Sequence, residues 1–463
     1  MPRHPGISKR ALLKAGAAAL LGKASNAQSR SPNIIFVLAD DLGYGDLGCF
    51  GSRIRTPHLD GMAGGGVRFQ QFYSASPVCS PSRAALMTGR YPTRVGIPGV
   101  LFPDSTTGLP DSETTLAQTL KVCNYATMCI GKWHLGSLPQ FLPTNRGFDE
   151  YFGIPYSNDM WPSVLLHNTE VVEQPVNLGA LTARYTEQAL QFIARSRNSP
   201  FFLYLAHAMP HLPLAASPRF RCKSGLGPYG DAVQEIDWSV GQILDALSAN
   251  GVDEQTLVMF SSDNGPWFQG SSGRLRGAKG ETFEGGVRVP FIARFPGRIP
   301  QGLVSRGVAS AMDILPAVAR LANAPLPGTP LDGVDIWPLL TGQCDQLDRD
   351  VLLYFDSWEA QCGRLGRWKL HVSRQNTPPW TPEPKVGRMN LPLPRPELYD
   401  LEADPDESYD VAGDNPQIVA DIRARMEALI ATFPEQVTTA WRYTMGLAVE
   451  ETWSGAWPAW KGR

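Results

Sequence analysis

Residues 33–46 read Asn33-Ile34-Ile35-Phe36-Val37-Leu38-Ala39-Asp40-Asp41-Leu42-Gly43-Tyr44-Gly45-Asp46. The first seven form a short apolar run rich in β-branched residues. That is the pattern of a strand buried on both faces. The acidic, glycine-containing loop behind it stands where ligands gather in α/β sheets, outside the carboxyl end of a strand. Three more segments repeat the arrangement. Residues 125–130 lead into Gly131-Lys132-Trp133-His134-Leu135-Gly136, residues 201–206 run up to His207 and His211, and residues 256–262 end in Asp263-Asn264-Gly265. Helical stretches fall between them at residues 115–121 and 231–249. The second carries Val233, Ile236, Val240, Ile243, Leu244 and Leu247 on one stripe. Strands alternating with helices predict an α/β sheet.

From about residue 350 the texture changes. Residues 351–355 and 368–372 read as short strands, residues 397–401 lead to a polar turn and residues 416–430 read as a helix, which predicts a smaller α+β domain over 350–463. Residues 374–396 are proline-rich and read as a surface loop. The chain has 463 residues, 43% hydrophobic and 19% charged, enough for one large domain and a smaller one.

The N-terminus carries no acidic residue before Asp40. Ser8-Lys9-Arg10-Ala11-Leu12-Leu13-Lys14 precedes an apolar run, and Ser25-Asn26-Ala27 supplies small residues for cleavage. The string resembles a twin-arginine export signal, with Lys9 in place of the first arginine and Leu12 in place of the usual Phe; a general secretory signal is the other reading. Either predicts a signal peptide over 1–27 and a periplasmic or secreted protein. Removing it takes away five of the 42 basic residues and none of the 44 acidic ones, so the formal charge moves from −2 to −7. A mildly acidic protein is a poor nonspecific binder of nucleic acid. No later segment is apolar enough over its length for a membrane span. Seven cysteines are present, at 49, 79, 123, 129, 222, 344 and 362, none with Cys-x-x-Cys spacing, which argues against a thiolate zinc site.

One stretch carries more chemistry than any other: Pro77-Val78-Cys79-Ser80-Pro81-Ser82-Arg83-Ala84-Ala85-Leu86-Met87-Thr88-Gly89-Arg90. Pro81 suits a first helical turn and Gly89 a helix end. Cys79 then lies at the helix mouth, where the dipole favours an anion, with Arg83 one turn behind it on the same face. The string resembles the signature of the type I sulfatases, Cys-x-Pro-Ser-Arg-x-x-x-[Leu/Met]-Thr-Gly-Arg. The resemblance extends over about residues 33–401. Its arylsulfatase A and N-acetylgalactosamine-6-sulfatase branch is similar through Gly43–Cys49, Gly131–Gly136, Gly153-Ile154-Pro155-Tyr156-Ser157-Asn158-Asp159 and Glu284-Gly285-Gly286-Val287-Arg288.

The resemblance implies an alkaline-phosphatase-like fold, a large central mixed β-sheet flanked by helices, with the catalytic domain over 28–349. It also implies that Cys79 is converted to formylglycine (3-oxoalanine) by a formylglycine-generating enzyme, and that its hydrate is the nucleophile. Asp40, Asp41, Asp263 and Asn264 form an all-oxygen set suited to a hard cation. The family match implies Ca²⁺; Mg²⁺ is the other hard ion such a set accepts. By the same match Lys132 binds sulfate and the nucleophile, and His134 deprotonates the spare hydroxyl of the hydrate. His211 and Lys279 flank the leaving-group oxygen, Ser157 hydrogen-bonds the site or the sulfate, and Arg83 orients the nucleophile and the metal-side oxygens. His207 competes with His211, since both follow the strand; the His-x-Pro pattern favours His211.

The function implied is hydrolysis of sulfate monoesters, of aryl or carbohydrate alcohols, to alcohol and sulfate. Two rivals stand beside it: a phosphate or phosphonate monoester hydrolase of the same superfamily, and a non-catalytic binder of sulfated glycans with unmodified Cys79. Loops 161–181 and 374–396 are expected to line the pocket and set the substrate.

Overall fold

The computed structural model describes residue 1 and residues 31–379, 381, 382, 384, 385 and 387–454, with the side chains of 447–454 left aside. The signal-peptide reading at 1–27 lies outside the described residues.

Ten strands form one mixed sheet: β1 (Asn33–Ala39), β2 (Val67–Tyr73), β3 (Ala126–Gly131), β4 (Glu150–Gly153), β5 (Leu165–His167), β6 (Glu170–Glu173), β7 (Phe201–Ala206), β8 (Thr256–Ser262), β9 (Phe291–Arg294) and β10 (Leu303–Ser310). Their order is β10-β2-β9-β8-β1-β7-β3-β4-β5-β6. β1 lies in the middle, parallel to both β7 and β8, and every residue of these three strands is buried. Alternate side chains feed two cores, one on each face. Ile34, Phe36 and Leu38 join Phe202, Tyr204 and Met259 on one side, and Ile35, Val37 and Ala39 join Leu203, Leu205, Val258 and Phe260 on the other. The Cys79–Thr88 and Ile314–Ala322 helices pack on the first face, and the Leu181–Ser196 and Gly227–Ala249 helices on the second. The last begins four residues before the periodic stripe suggests, because Pro228 serves its first turn without needing an N–H partner.

The registers make the strand ends level. Ala39 pairs with Ser262, Leu38 with Ala206 and Gly131 with Ala206. Asp40, Lys132, His207 and Asp263 therefore leave the sheet along one edge, Asp40 from β1 itself, His207 and Lys132 from the strands on one side of it and Asp263 from the strand on the other, around the strand-order reversal at β1.

A second sheet is antiparallel: β11 (Leu352–Asp356), β12 (Glu359–Leu365), β13 (Trp368–Gln375) and β14 (Asn390–Asp400), in that order. The Pro416–Ile430 helix covers it through Ile422, Met426 and Ile430. These side chains share a core with Tyr73, Ala85 and Val287 from around the large sheet. The expected loop over 374–396 is corrected here, since β14 begins at Asn390 and includes Pro392, Pro394 and Pro396. An edge strand accepts prolines because the missing N–H groups can face away from the ladder.

Candidate active site

The Cys79–Thr88 helix ends at Gly89 in the left-handed region, φ 68°, and every residue in it is buried. Burial pushes the Cys79 thiol up, against the pull of Lys132 and Lys279, so the helix mouth does not by itself make a thiolate of the encoded cysteine. All seven cysteines are free.

Arg83 reaches from that helix into the line of strand ends. Its Nε and Nη2 lie 2.9 and 2.8 Å from Asp263 Oδ2, its Nη1 donates to the Lys132 carbonyl at 2.7 Å, and Nη2 lies 3.5 Å from Asp40 Oδ2. Lys132 Nζ sits 2.6 Å from Asp40 Oδ2 and donates to Ser157 Oγ at 3.0 Å. Arg83, Lys132 and Asp40 have no side-chain exposure. Burial alone would raise the Asp40 carboxyl; Lys132, His211 and Arg83 outweigh it and hold it below the usual range.

Asp41 is held in the left-handed region, φ 61°, an unfavourable backbone for a residue other than glycine. Its carboxylate receives Lys279 Nζ at 2.9 Å and Asn264 Nδ2 at 2.8 Å, with His211 Nε2 at 3.6 Å. Burial would lower the Lys279 ammonium; Asp41, Cys79 and Asp40 raise it instead. His211 Nδ1 points at the Leu212 carbonyl, 2.5 Å away, and the Asn158 amide donates to the His211 carbonyl at 3.3 Å.

His134 also has a left-handed backbone, φ 59°. Its Nε2 lies 2.8 Å from the Leu101 carbonyl, and its buried Nδ1 has no partner among the described residues. Burial, Lys132 and Arg83 drive it well below the ordinary histidine range, so the ring is neutral at neutral pH.

The rival histidine is set apart. His207 is buried with both ring nitrogens unpartnered among the described residues, tilted against Tyr185 with ring centroids 6.4 Å apart, and burial lowers it to about 3. His211, not His207, faces Asp41.

Single ligand atoms of Asp40, Asp41, Cys79 and His211 all lie within 4.8 Å of one another. Asp263 is tied to the same place, accepting the Asp41 N–H on Oδ1 at 3.2 Å. Asn264 turns its Nδ2 to two acceptors, Asp41 Oδ1 and the Gly265 carbonyl, leaving Oδ1 buried and without a donor among the described residues. Asp40 Oδ1 is likewise without a donor. Two buried oxygens lacking donors, beside further carboxylates, suit a hard divalent cation.

Every expected site residue is thus at the same strand-end edge or bonded to a group there. Two contributors escape the sequence reading: the Leu101 carbonyl, a backbone atom with no side-chain signature, and Asn158, which only the quoted Gly153–Asp159 stretch hinted at.

The Sulfatase family model matches residues 32–324. Homo sapiens arylsulfatase A is 40% identical, covering 92% of this chain and 93% of its own. Canis lupus familiaris N-acetylgalactosamine-6-sulfatase is 42% identical over 78% of this chain and 75% of its own. Among solved structures, the PsFucS1 sulfatase from Pseudoalteromonas sp. superposes with a TM-score of 0.79 at 26% identity, covering 92% of this chain and 95% of that one. A buried cysteine at a helix mouth, ringed by three cations and an oxygen-donor set, therefore comes with a matched fold and matched relatives, and the chain belongs to the Sulfatase family of sulfuric ester hydrolases.

Proposed function

We propose that this enzyme hydrolyses aryl sulfates or sulfated carbohydrates with formylglycine made from Cys79 and a bound Ca²⁺. The observation that carries the reading is the convergence of Cys79 with Asp40, Asp41 and His211 inside 4.8 Å, flanked by Lys132, Lys279 and Arg83. Asp40, Asp41, Asp263 and Asn264 would hold the ion, which offsets negative charge on sulfate oxygens when bound. Formylglycine, when present as its hydrate, supplies an oxygen nucleophile with an internal route of collapse, which a serine lacks.

The chain's own groups have separable tasks. Lys132 and Ser157 present donors to the sulfate. Arg83 holds Asp263 and Asp40 in place and orients the helix mouth against them. His134 offers a bare Nδ1 that takes a proton. His211 and Lys279, both at Asp41, neutralise the oxygen that leaves with the alcohol. The reaction groups lie in residues 28–349 under this reading, with 350–463 as a smaller domain. It includes export to the periplasm or outside the cell after cleavage at Ala27, and maturation by a formylglycine-generating enzyme. No helix among the described residues is long and apolar enough to cross a membrane.

The test is mass spectrometry of the tryptic peptide Phe69–Arg83 from the native host, with sulfate and phosphate esters assayed side by side. An aldehyde or its hydrate at position 79 with faster sulfate ester cleavage supports the reading. A plain thiol in fully active protein, or phosphate esters cleaved faster, overturns it. Cys79→Ala is expected to abolish hydrolysis.

A further inference from the structure

Lys279 stands in an irregular loop that runs to the short Glu284–Val287 helical turn. Its middle is pinned to the active site by backbone bonds. Lys279 N donates to the Pro266 carbonyl and Gly280 N to the Pro77 carbonyl, each at 2.9 Å, and Pro77 is two residues from Cys79. Gly277 and Gly280 turn the chain at φ 84° and 86°. No strand ladder stiffens such a segment, so beyond these two bonds the position of Lys279 depends on how the ends of the loop are held.

Both ends are held by one residue of the small-sheet region. Glu407 follows β14 and has no exposure. Its Oε2 accepts the Glu284 backbone N–H at 2.6 Å, and its backbone carbonyl accepts Arg276 Nη1 at 2.9 Å. Its Oε1 is gripped in turn from β13, by His371 Nε2 at 2.8 Å and Lys369 Nζ at 3.2 Å. Lys369 Nζ also lies 3.0 Å from Glu284 Oε1. Glu407 keeps a left-handed backbone, φ 50°, which a glutamate adopts only when its surroundings impose it. The 276–284 segment is therefore clamped at both ends to a buried ionic set whose other members come from the second sheet.

We infer that Glu407 is a positioning residue for Lys279, through which the small sheet sets the leaving-group side of the active site. The inference rests on the reading of Lys279 as the group that neutralises the departing oxygen. It gives the Glu407-containing turn a task beyond joining two sheets. A slack loop would still bind substrate, but would carry the ammonium off the departing oxygen. The loss would fall on alcohols that leave poorly and spare those that leave well.

The experiment compares 4-nitrophenyl sulfate, a good leaving group, with phenyl sulfate, a poor one, in the wild type, Lys279→Ala, Glu407→Ala, Glu407→Gln and Arg276→Met. Amide hydrogen exchange is read over 276–286. Arg276→Met releases one end of the loop without touching the buried charges, and so answers even if Glu407→Ala fails to fold. The expected result is a kcat loss of about tenfold or more on phenyl sulfate and under about twofold on 4-nitrophenyl sulfate in Glu407→Ala and Arg276→Met, as an interaction made only in the transition state would show. KM should be unchanged, exchange at Lys279 and Gly280 faster, and Glu407→Gln partly restored through its remaining acceptor oxygen. Equal losses on both esters, or unaltered exchange in the 276–286 segment, would overturn the inference. A flat leaving-group response in Lys279→Ala would instead refute the role given to Lys279, while faster exchange in the clamp variants would still support the clamp itself.

Discussion

His134 Nε2 lies 2.8 Å from the carbonyl oxygen of Leu101. A carbonyl only accepts, so this nitrogen carries the proton and Nδ1 is the bare one. Nδ1 is buried and faces no donor among the described residues, while burial with Lys132 and Arg83 keeps the ring uncharged. The tautomer of the proposed base is thus set by a main-chain atom 33 residues away.

A base prepared in this way should act after the alcohol has left. His134→Ala is expected to lower steady-state turnover of an aryl sulfate by about 10²- to 10⁴-fold, the usual worth of a positioned acid–base group. The first equivalent of phenol should still appear as a burst in stopped-flow. Loss of the burst would assign His134 to the earlier step. Because the ring is held well below the ordinary histidine range, it stays deprotonated as the pH falls through 6.5, and kcat/KM should show no acid limb there from this group.

Arg83 joins three elements through Asp263, Asp40 and the Lys132 carbonyl, all without solvent. Arg83→Met would leave two buried carboxylates facing each other without their shared cation. The expected destabilisation is about 3–5 kcal/mol, as when one partner of a buried ion pair is removed. Urea denaturation measures it; a change under about 1 kcal/mol would mean that the carboxylates protonate or relax at little cost.

The oxygen set makes a prediction independent of turnover. In the inactive Cys79→Ala protein, stripped with chelator, added Ca²⁺ should raise the thermal midpoint, by the equivalent of about 2.7 kcal/mol at a hundredfold excess over Kd. Asp40→Asn and Asn264→Leu should lose this response. A shift equal in wild-type and variant proteins would place the ion elsewhere.

His207 offers a test of pH-dependent stability. Its folded pKa, about 3, lies below the ordinary 6.5, so between those values the unfolded chain binds the proton and the folded one does not. Stability from this residue is therefore complete above pH 6.5 and is lost as the pH falls toward 3, on the order of 3–5 kcal/mol in all. His207→Leu removes the proton site at similar bulk. Relative to wild type, its thermal midpoint should rise more at pH 5 than at pH 7.5; an equal shift at both would show that the ring is solvated in the folded state.

The central strands were legible because burial on both faces favours apolar residues, and β1, β7 and β8 carry apolar runs at 34–39, 201–206 and 257–260, with the buried polar residues Asn33, Thr256, Ser261 and Ser262 only at the ends. β12 was missed for the opposite reason. Its buried Gln361 and Arg364 look like surface residues until Thr282 and Gln71 are seen to meet them. β14 was missed because three prolines hide an edge strand. Glu407, in the run Asp404-Pro405-Asp406-Glu407, reads as a solvated turn, and only the approach of Lys369 and His371 explains its burial.

By itself the sequence determined the nucleophile candidate, the strand ends and the polar residues placed behind them, because each of these is written in a local pattern of a dozen residues or fewer. Only the tertiary structure decided which of those residues face one another. Arg83 and Asp263 are 180 positions apart, Lys279 and Asp41 238, and Arg276 and Glu407 131. A charge's protonation and orientation follow from the groups within a few ångströms of it and from the water it has lost. Both are created when the registers of β1, β3, β7 and β8 bring the strand ends level.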